Sequence, residues 1–197
     1  MGGYDAKQKL HEYLQMAREA VVWKLDGLPE YDVRRPLTPT GTNLLGVVKH
    51  LAWTDAEYFG LVFGRPFPEA PPWAGQADIP PNADMWATPD ESRDDIIGLY
   101  RRVWAHSDAT IEALGLEDPG HVPWWGERGE VTLHWILVHM IAETNEHRGH
   151  LDIVRELIDG ATGLRDGNSN LPDHDAAWWA AYRDRVEQSA RQAAGMA

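Results

Sequence analysis

Apolar residues recur at intervals of three and four in five segments of this chain, and this spacing constrains the fold more than any other feature of the sequence. Residues three and four apart lie on one face of a helix, so each segment predicts an amphipathic helix. The predicted helices span residues 4–27, 43–64, 88–115, 132–160 and 175–193. No run of residues alternates between apolar and polar as a half-buried strand does. We therefore expect an all-α fold, namely a four-helix bundle with an extra C-terminal helix.

Local signals place the ends of some of these helices. Thr88 and Glu91 form a capping-box pair, with a proline at the first helical position, which predicts that the third helix starts there. Thr42 or Asn43 is suited to cap the second helix. The fourth helix is apolar almost all round between residues 133 and 141, so we expect it to be the most buried helix of the set.

A proline-rich loop separates the second and third predicted helices. Residues 65–89 hold seven of the thirteen prolines, too many for a buried regular element. A loop longer than about 12–15 residues is usually functional or disordered. Trp73 and Trp86 favour a loop that folds onto the bundle, where it either covers one end or closes over a site. We expect residues 1–197 to form a single domain that includes this loop.

The composition excludes several classes of protein and of site. The chain has no cysteine, which excludes disulfides, cysteine nucleophiles and cysteine-ligated zinc. Its 31 acidic and 18 basic side chains give a formal net charge of −13, which disfavours binding to nucleic acid or to an anionic membrane surface. No apolar segment resembles a signal peptide or approaches the roughly 18 residues of a membrane-spanning helix, so we expect a cytoplasmic protein.

The fourth predicted helix holds most of the side chains that are suited to chemistry. His139, Glu143, His147 and His150 are spaced four, four and three residues apart, so they share one face. Cβ atoms four residues apart on a helix are separated by only about 5–6 Å, so two side chains with this spacing can bind one ion. Two such pairs are present, namely His139 with Glu143 and Glu143 with His147. About 12 Å of axial rise separates His139 from His147, so one ion does not easily use all three side chains. A further ligand is expected from another helix.

One histidine of the second predicted helix is a candidate for that further ligand. His50 lies in the middle of this helix, but at about 100° per residue it is roughly 120° from the centre of the apolar stripe. The apolar pattern alone therefore does not predict that His50 faces the core. His50 is therefore either a surface histidine or a metal ligand.

Three segments together resemble the DinB/YfiT-like superfamily, and nearly the whole chain is covered by the resemblance. The segments are LTPTGTNLLGVVKHLAWTDAEYFG, LHWILVHMIAETNEHRGHLDIVRELIDG and DAAWWAAYRDRVE. The second is the most specific, and it is similar to the branch of mycothiol-dependent maleylpyruvate isomerases and mycothiol S-transferases. The resemblance implies a homodimeric four-helix bundle that holds a divalent metal, often zinc or nickel, with one ligand from the second helix and two from the fourth.

Carried onto this sequence, the resemblance implies His50, Glu143 and His147 as the metal ligands. Many relatives have a histidine where this chain has Glu143, whereas the maleylpyruvate isomerases share the His–Glu–His set. Such a set leaves a zinc-like ion one or two open positions, as in catalytic sites. An open cation binds a thiol as its thiolate. We therefore expect an enzyme in which zinc, or nickel or another divalent metal, activates a mycothiol-like thiol for transfer to an electrophilic small molecule or for thiol-assisted isomerisation.

Two alternatives remain open from the sequence. An open metal ion also activates water, so one alternative is a hydrolase of amides or esters with Glu57, Asp55 or Glu146 as general base. The other is a metal-binding or stress-associated bundle without catalytic activity. His139 and His150 share the ligand face and are either groups that orient the ligands or ordinary core histidines. Turnover that needs both metal and thiol would separate the first prediction from both alternatives.

Overall fold

A computed structural model of the protein describes residues 5–69 and 79–196, and most of these residues are helical. The bundle consists of four helices: α1 (Ala6–Trp23), α3 (Leu44–Phe59), α4 (Arg93–Ala113) and α5 (Leu133–Asp159). The short helix α2 (Glu30–Arg34) precedes α3, and α6 (Ala176–Ala193) follows the bundle. Helix α3 packs against both α4 and α5, and α1 packs against α5. The all-α fold predicted from the apolar spacing is therefore confirmed.

A small β-hairpin precedes α5 and was not predicted. Strand β1 (Pro119–His121) pairs antiparallel with β2 (Glu130–Thr132), with Gly120 opposite Val131. A 3₁₀ turn over Pro123–Arg128 joins the strands. Strands of three residues are too short to show an alternating pattern, so no local signal predicts them.

Side-chain caps fix where α3 and α5 begin. The Asn43 side chain accepts a hydrogen bond from the backbone N–H of Gly46 at 2.7 Å, and the Thr132 hydroxyl accepts one from Trp135 at 3.3 Å. Both caps satisfy a backbone donor that the first helical turn leaves unpaired. Gly160 ends α5 with a positive φ of 80°, a conformation that glycine adopts without steric cost.

The predicted start of the third bundle helix is wrong. Ser92 rather than Thr88 caps α4, because the Ser92 hydroxyl accepts the backbone N–H of Asp95 at 3.0 Å. The Glu91 carboxylate does accept the backbone N–H of Thr88 at 2.8 Å, as in a capping box. Glu91 also pairs with Lys49 on α3, so this turn is held against α3 and the helix starts after it.

Two apolar clusters form the core, and a polar band separates them along α3 and α5. One cluster contains the start of α3 and the end of α5, including Leu51 and Leu151. The other contains the end of α3 and the start of α5, including Phe59 and Met140. The helices are therefore antiparallel, and the side chains between the clusters face each other across the band.

The most buried helix is α3, which corrects the expectation that it would be the fourth bundle helix. Thirteen of the sixteen residues of α3 are buried. In α5 the residues His134, Trp135 and Val138 are exposed within the segment that looked apolar all round. Helix α3 is covered by α4 on one side and α5 on the other, whereas the start of α5 has an open side.

Residues 83–86 of the proline-rich loop lie against α3, whereas residues 65–69 contact α4. The Asn43 side-chain amide donates a hydrogen bond to the backbone carbonyl of Met85 at 3.0 Å. The Lys49 ammonium donates to the backbone carbonyls of Ala83 at 2.9 Å and Trp86 at 3.0 Å. Between them, a Cβ atom at Gly46 would lie 1.8 Å from the carbonyl oxygen of Met85, so only glycine allows this approach. Trp86 itself is 50% exposed and does not anchor the loop, and Trp73 lies outside the described residues.

The C-terminal helix α6 lies outside the core. No residue of α6 is buried, and its aromatic side chains stack on one another, with Trp178 and Tyr182 nearly parallel at 5.4 Å. Within the described ranges of the chain, none of the helices combines the length and apolar character that crossing a membrane requires.

Candidate metal centre

Three side chains from α3 and α5 meet in the polar band between the two apolar clusters. His50 extends from α3, and Glu143 and His147 extend from successive turns of α5. Each offers one donor atom, and these atoms lie within 4.8 Å of one another. The structure thus brings together the three residues that the family resemblance implies as metal ligands.

Two of the three distances between these donor atoms match those around a divalent cation. Glu143 Oε1 is 3.4 Å from His50 Nε2 and 3.1 Å from His147 Nε2. Ligands about 2.1 Å from a common ion are separated by about 3.4 Å at a tetrahedral angle and by about 3.0 Å at a right angle. These two distances fit a cation bound by all three side chains, the distance between the two histidine donor atoms is at most 4.8 Å, and one or more positions are left for a further ligand.

A carboxylate on the proline-rich loop orients the His50 ring. Asp84 Oδ2 lies 2.7 Å from His50 Nδ1, and 21% of the His50 side chain and 27% of the Asp84 side chain are exposed. Burial lowers the pKa of His50, but its hydrogen bonds with Glu143 and Asp84 outweigh burial and raise this pKa above its ordinary value. A carboxylate on the second ring nitrogen is the usual partner of a metal-binding histidine, because it fixes which nitrogen faces the ion.

The electrostatics of the centre keep Glu143 ionised. Hydrogen bonds with His147 and His50 hold the pKa of the Glu143 carboxyl well below its usual range, despite the opposing effect of partial burial. His147 has no counterpart of the Asp84 contact, since its Nδ1 atom is buried and lacks a hydrogen-bond partner among the described residues. The ring of His147 instead packs edge-on against His50, at a centroid distance of 4.8 Å.

The two further candidates on the ligand face lie at opposite ends of the centre. His139 contacts Tyr58 and Trp125, with ring centroids at 4.7 and 5.0 Å. Burial lowers the pKa of His139, and Glu143 only partly opposes this, so its ring is neutral near pH 7. His150 is exposed, and its ring centroid is 5.6 Å from that of His147.

The three acids considered as general bases have different environments. Asp55 is buried and accepts hydrogen bonds from Arg18 at 2.7 Å and Ser107 at 2.9 Å, so it forms part of the core. Glu146 is exposed on α5. Glu57 is partly buried, and burial raises the pKa of its carboxyl, while its electrostatic interactions with Asp84 and His50 place it near the centre. Of the three, only Glu57 is suited to exchange a proton beside the ligands.

Sequence reasoning missed Asp84 and the residues that position it. Asp84 lies 34 positions from His50 in a segment without periodicity, so no local pattern relates the two residues. A weak signal existed in Lys49, which is charged yet lies within an otherwise apolar stretch of α3. A buried lysine needs acceptors, and here the loop on both sides of Asp84 supplies them.

Comparison with known proteins identifies one family. A model of the mycothiol-S-transferase family matches residues 9–160, which is about three quarters of the chain. The match includes all four bundle helices except for the first residues of α1, and it includes the three residues of the candidate centre. A search of curated proteins gave no match.

Proposed function

The chain belongs to the mycothiol-S-transferase family, and from this premise we propose that it is a metal-dependent thiol transferase. His50, Glu143 and His147 would hold one divalent cation, most suitably zinc, with nickel or another divalent metal as alternatives. The substrates would be a mycothiol-like thiol and an electrophilic small molecule. Thiol-assisted isomerisation is a variant of the same chemistry.

One observation carries this proposal. The donor atoms of His50, Glu143 and His147 lie within 4.8 Å of one another although they come from two helices and His50 precedes Glu143 by 93 positions. Two histidines and a carboxylate placed in this way cost stability unless they are paired or bound to an ion. A set of three protein ligands is also the number found in catalytic rather than structural zinc sites.

The residues of the centre have separable tasks in such an enzyme. Asp84 holds the His50 ring so that Nε2 faces Glu143, and Glu143 supplies the negative charge that favours a cation. The Thr54 hydroxyl oxygen lies 3.4 Å from His50 Nε2. The same hydroxyl donates its proton to the backbone carbonyl of His50 at 2.9 Å. A divalent cation bound here would supply the charge that stabilises a thiolate relative to its thiol.

The overall reaction then balances without an oxidant or a reductant. In transfer, the thiolate sulfur forms a bond to an electrophilic carbon, and the leaving group departs with the bonding electron pair. The thiol proton goes to solvent or to a nearby base such as Glu57 or the neutral His139 ring. In isomerisation, the sulfur adds to an activated double bond and is eliminated after rotation, so the thiol is regenerated.

Hydrolysis of an amide or ester is the second candidate function. The position of Glu57 favours it, because a carboxyl whose pKa is raised by burial is suited to accept a proton from water beside the centre. A non-catalytic metal-binding bundle is the third candidate. We give transfer precedence because the family match supports a thiol substrate.

The remaining parts of the proposal concern the whole protein. We propose one domain over residues 1–197, a cytoplasmic location and a homodimer. The partly exposed aromatic face of α6 supports a dimer, since a helix that has no buried residue but several large aromatic side chains is usually covered by another surface.

Metal content tests the centre directly. We expect about one divalent ion per chain in tag-free protein after incubation with zinc and removal of excess metal. Glu143→Gln should lose the ion, whereas Glu146→Gln, the same change on the exposed side of α5, should retain it. His50→Ala and His147→Ala should also lose it while keeping the helix content of the wild type. Wild-type protein that remains metal-free after incubation with zinc or nickel would rule out the centre.

Activity tests the reaction class. The metal-loaded protein is given monochlorobimane, which becomes fluorescent on thiol substitution, with mycothiol or with cysteine as a control thiol. Product formation that requires both the metal and mycothiol supports transfer. Turnover of an ester substrate without thiol would support hydrolysis instead. Metal binding without either activity would support the non-catalytic alternative.

A further inference from the structure

An aromatic cluster adjoins the candidate metal centre and remains partly open to solvent. It consists of five side chains, namely Tyr58, Trp124, Trp125, Trp135 and His139, with neighbouring ring centroids 4.7–5.8 Å apart. Trp124 is 46% exposed and Trp135 is 48% exposed. Large aromatic side chains that serve only packing are mostly buried, so exposed faces grouped beside a site indicate a binding surface.

The cluster begins one helical turn from the metal ligands. His139 precedes Glu143 by four residues on α5, which corresponds to about 6 Å of rise. On the facing helix, Tyr58 follows Thr54 by the same number of residues. The rings of His139 and Tyr58 touch each other, and both contact Trp125. A molecule whose reacting atom lies at the centre would therefore extend over His139 toward the tryptophans.

The hairpin loop holds these tryptophans in a defined conformation. Gly126, which follows Trp125, has φ 57° and ψ −128°, a combination that other residues rarely adopt. At Gly129, a Cβ atom would lie 2.7 Å from the carbonyl oxygen of Val122, so this position also needs glycine. The Trp124 indole donates a hydrogen bond to the Tyr58 hydroxyl at 3.3 Å, which ties the loop to α3. Side chains fixed in this way bind a ligand with little loss of conformational entropy.

A cation lies at the outer edge of the cluster. Arg128 lines, with Trp125 and Trp135, a cavity of about 250 Å³. No carboxylate pairs with Arg128 among the residues that the structure describes, and the nearby Glu130 is engaged by His121 at 2.7 Å. In a chain with a net charge of −13, an unpaired guanidinium beside aromatic rings is a local site for an anion. The cavity suits part of a ligand, since complete small-molecule sites usually measure about 300–1,000 Å³.

We propose that Trp125, Trp135 and Arg128 form the binding subsite for the electrophilic substrate, and that this substrate carries an aromatic ring with a carboxylate or another anionic group. The identification of the bound molecule as the electrophile rests on the proposed function. The ring lies against the two tryptophans, the anionic group meets Arg128, and the reactive carbon extends over His139 toward the metal ligands.

Binding of 2-naphthoate to metal-free protein tests the subsite without metal, thiol or turnover. Isothermal titration should detect 2-naphthoate binding, and the uncharged 2-naphthamide should bind roughly tenfold more weakly. Arg128→Gln should remove this difference between the two probes. Trp135→Leu should weaken both probes by roughly three- to tenfold, in line with the loss of an aromatic contact. Trp135 is half-exposed, so this variant is expected to fold even if a variant of Trp125 does not.

Two controls make the result specific to this subsite. Trp179→Leu on α6 removes a tryptophan that lies near Glu156 and Gly160, at the opposite end of α5 from the hairpin, and should leave the binding of both probes unchanged. Glu146→Gln on the exposed side of α5 should likewise keep 2-naphthoate binding, and because the protein is metal-free, failure of the metal centre stays distinguishable from failure of the subsite. No binding to the wild type, or equal binding to wild type, Trp135→Leu and Arg128→Gln, would overturn the proposal.

Discussion

Replacing Asp84 by asparagine tests whether the proline-rich loop helps to bind metal. The Asp84 carboxylate lies 2.7 Å from His50 Nδ1, and a hydrogen bond to a charged group contributes about 1.5–3 kcal/mol. Asparagine keeps a neutral acceptor worth about 0.5–1.5 kcal/mol. With 21% and 27% of the two side chains exposed, solvent screens part of the charge, so we take a value near the middle of the difference rather than its maximum of about 2.5 kcal/mol. A loss of about 1.4 kcal/mol corresponds to about tenfold weaker metal binding.

The assay is a competition titration of zinc between the protein and a fluorescent chelator. Asp84→Asn should bind zinc about tenfold more weakly than the wild type, and Asp84→Ala should approach the hundredfold effect found when such partners are removed. Asp90→Asn, the same change at an exposed position of the loop, should leave the affinity unchanged. Zinc affinities of wild type and Asp84→Asn that agree within a factor of two would refute the role of Asp84.

Three further predictions concern stability. Gly46→Ala should lower the free energy of unfolding in urea by about 1–3 kcal/mol, because the new Cβ atom would lie 1.8 Å from a loop carbonyl oxygen. Gly149 is a helical glycine with open space around it, so Gly149→Ala should raise this free energy by up to about 1 kcal/mol. Equal effects of the two substitutions would contradict the packing of the loop on α3. Asp55→Asn should cost about 1–3 kcal/mol, measured by the same unfolding, since it removes the charge of the 2.7 Å partner of buried Arg18, which then keeps only Asp108 at 2.9 Å, and a cost below about 0.5 kcal/mol would contradict this. Glu57→Gln should raise the melting temperature at pH 7 and not at pH 4. Burial raises the pKa of Glu57 in the folded state, so ionisation of Glu57 destabilises the folded protein as the pH rises above 4.5, the pKa in the unfolded chain. A gain in melting temperature of equal size at both pH values would refute this pKa shift.

The helices could be predicted from the sequence because their signals are local. The caps at Asn43, Thr132 and Asp175 and the glycine at 160 each act within one turn of chain. The start of α4 was misplaced because two competing caps, at Thr88 and Ser92, stand four residues apart. The pairing of Glu91 with a lysine of another helix decides between them, and that pairing is not visible in local sequence.

The candidate site could be predicted only in part for a similar reason. Glu143 and His147 are one helical turn apart, so their proximity follows from α5 alone. The orientation of His50 could not be predicted from the apolar stripe of α3, because helices cover α3 on two sides and it has no single buried face. The family resemblance supplied His50, and the geometry now places its Nε2 atom 3.4 Å from Glu143.

Lys49 and His50 are neighbours in the sequence, and together they couple the loop to the three proposed metal ligands. Lys49 holds the carbonyls of Ala83 and Trp86, on either side of Asp84, while Asp84 holds the ring of His50. Loosening this loop segment would therefore free the His50 ring and weaken metal binding. Coupling free energies are reciprocal, so a bound cation must stabilise the docked loop by the same amount that the docked loop strengthens cation binding. If the proposed centre binds a cation, this reciprocity gives the loop a function there although none of its described residues is among the three proposed ligands.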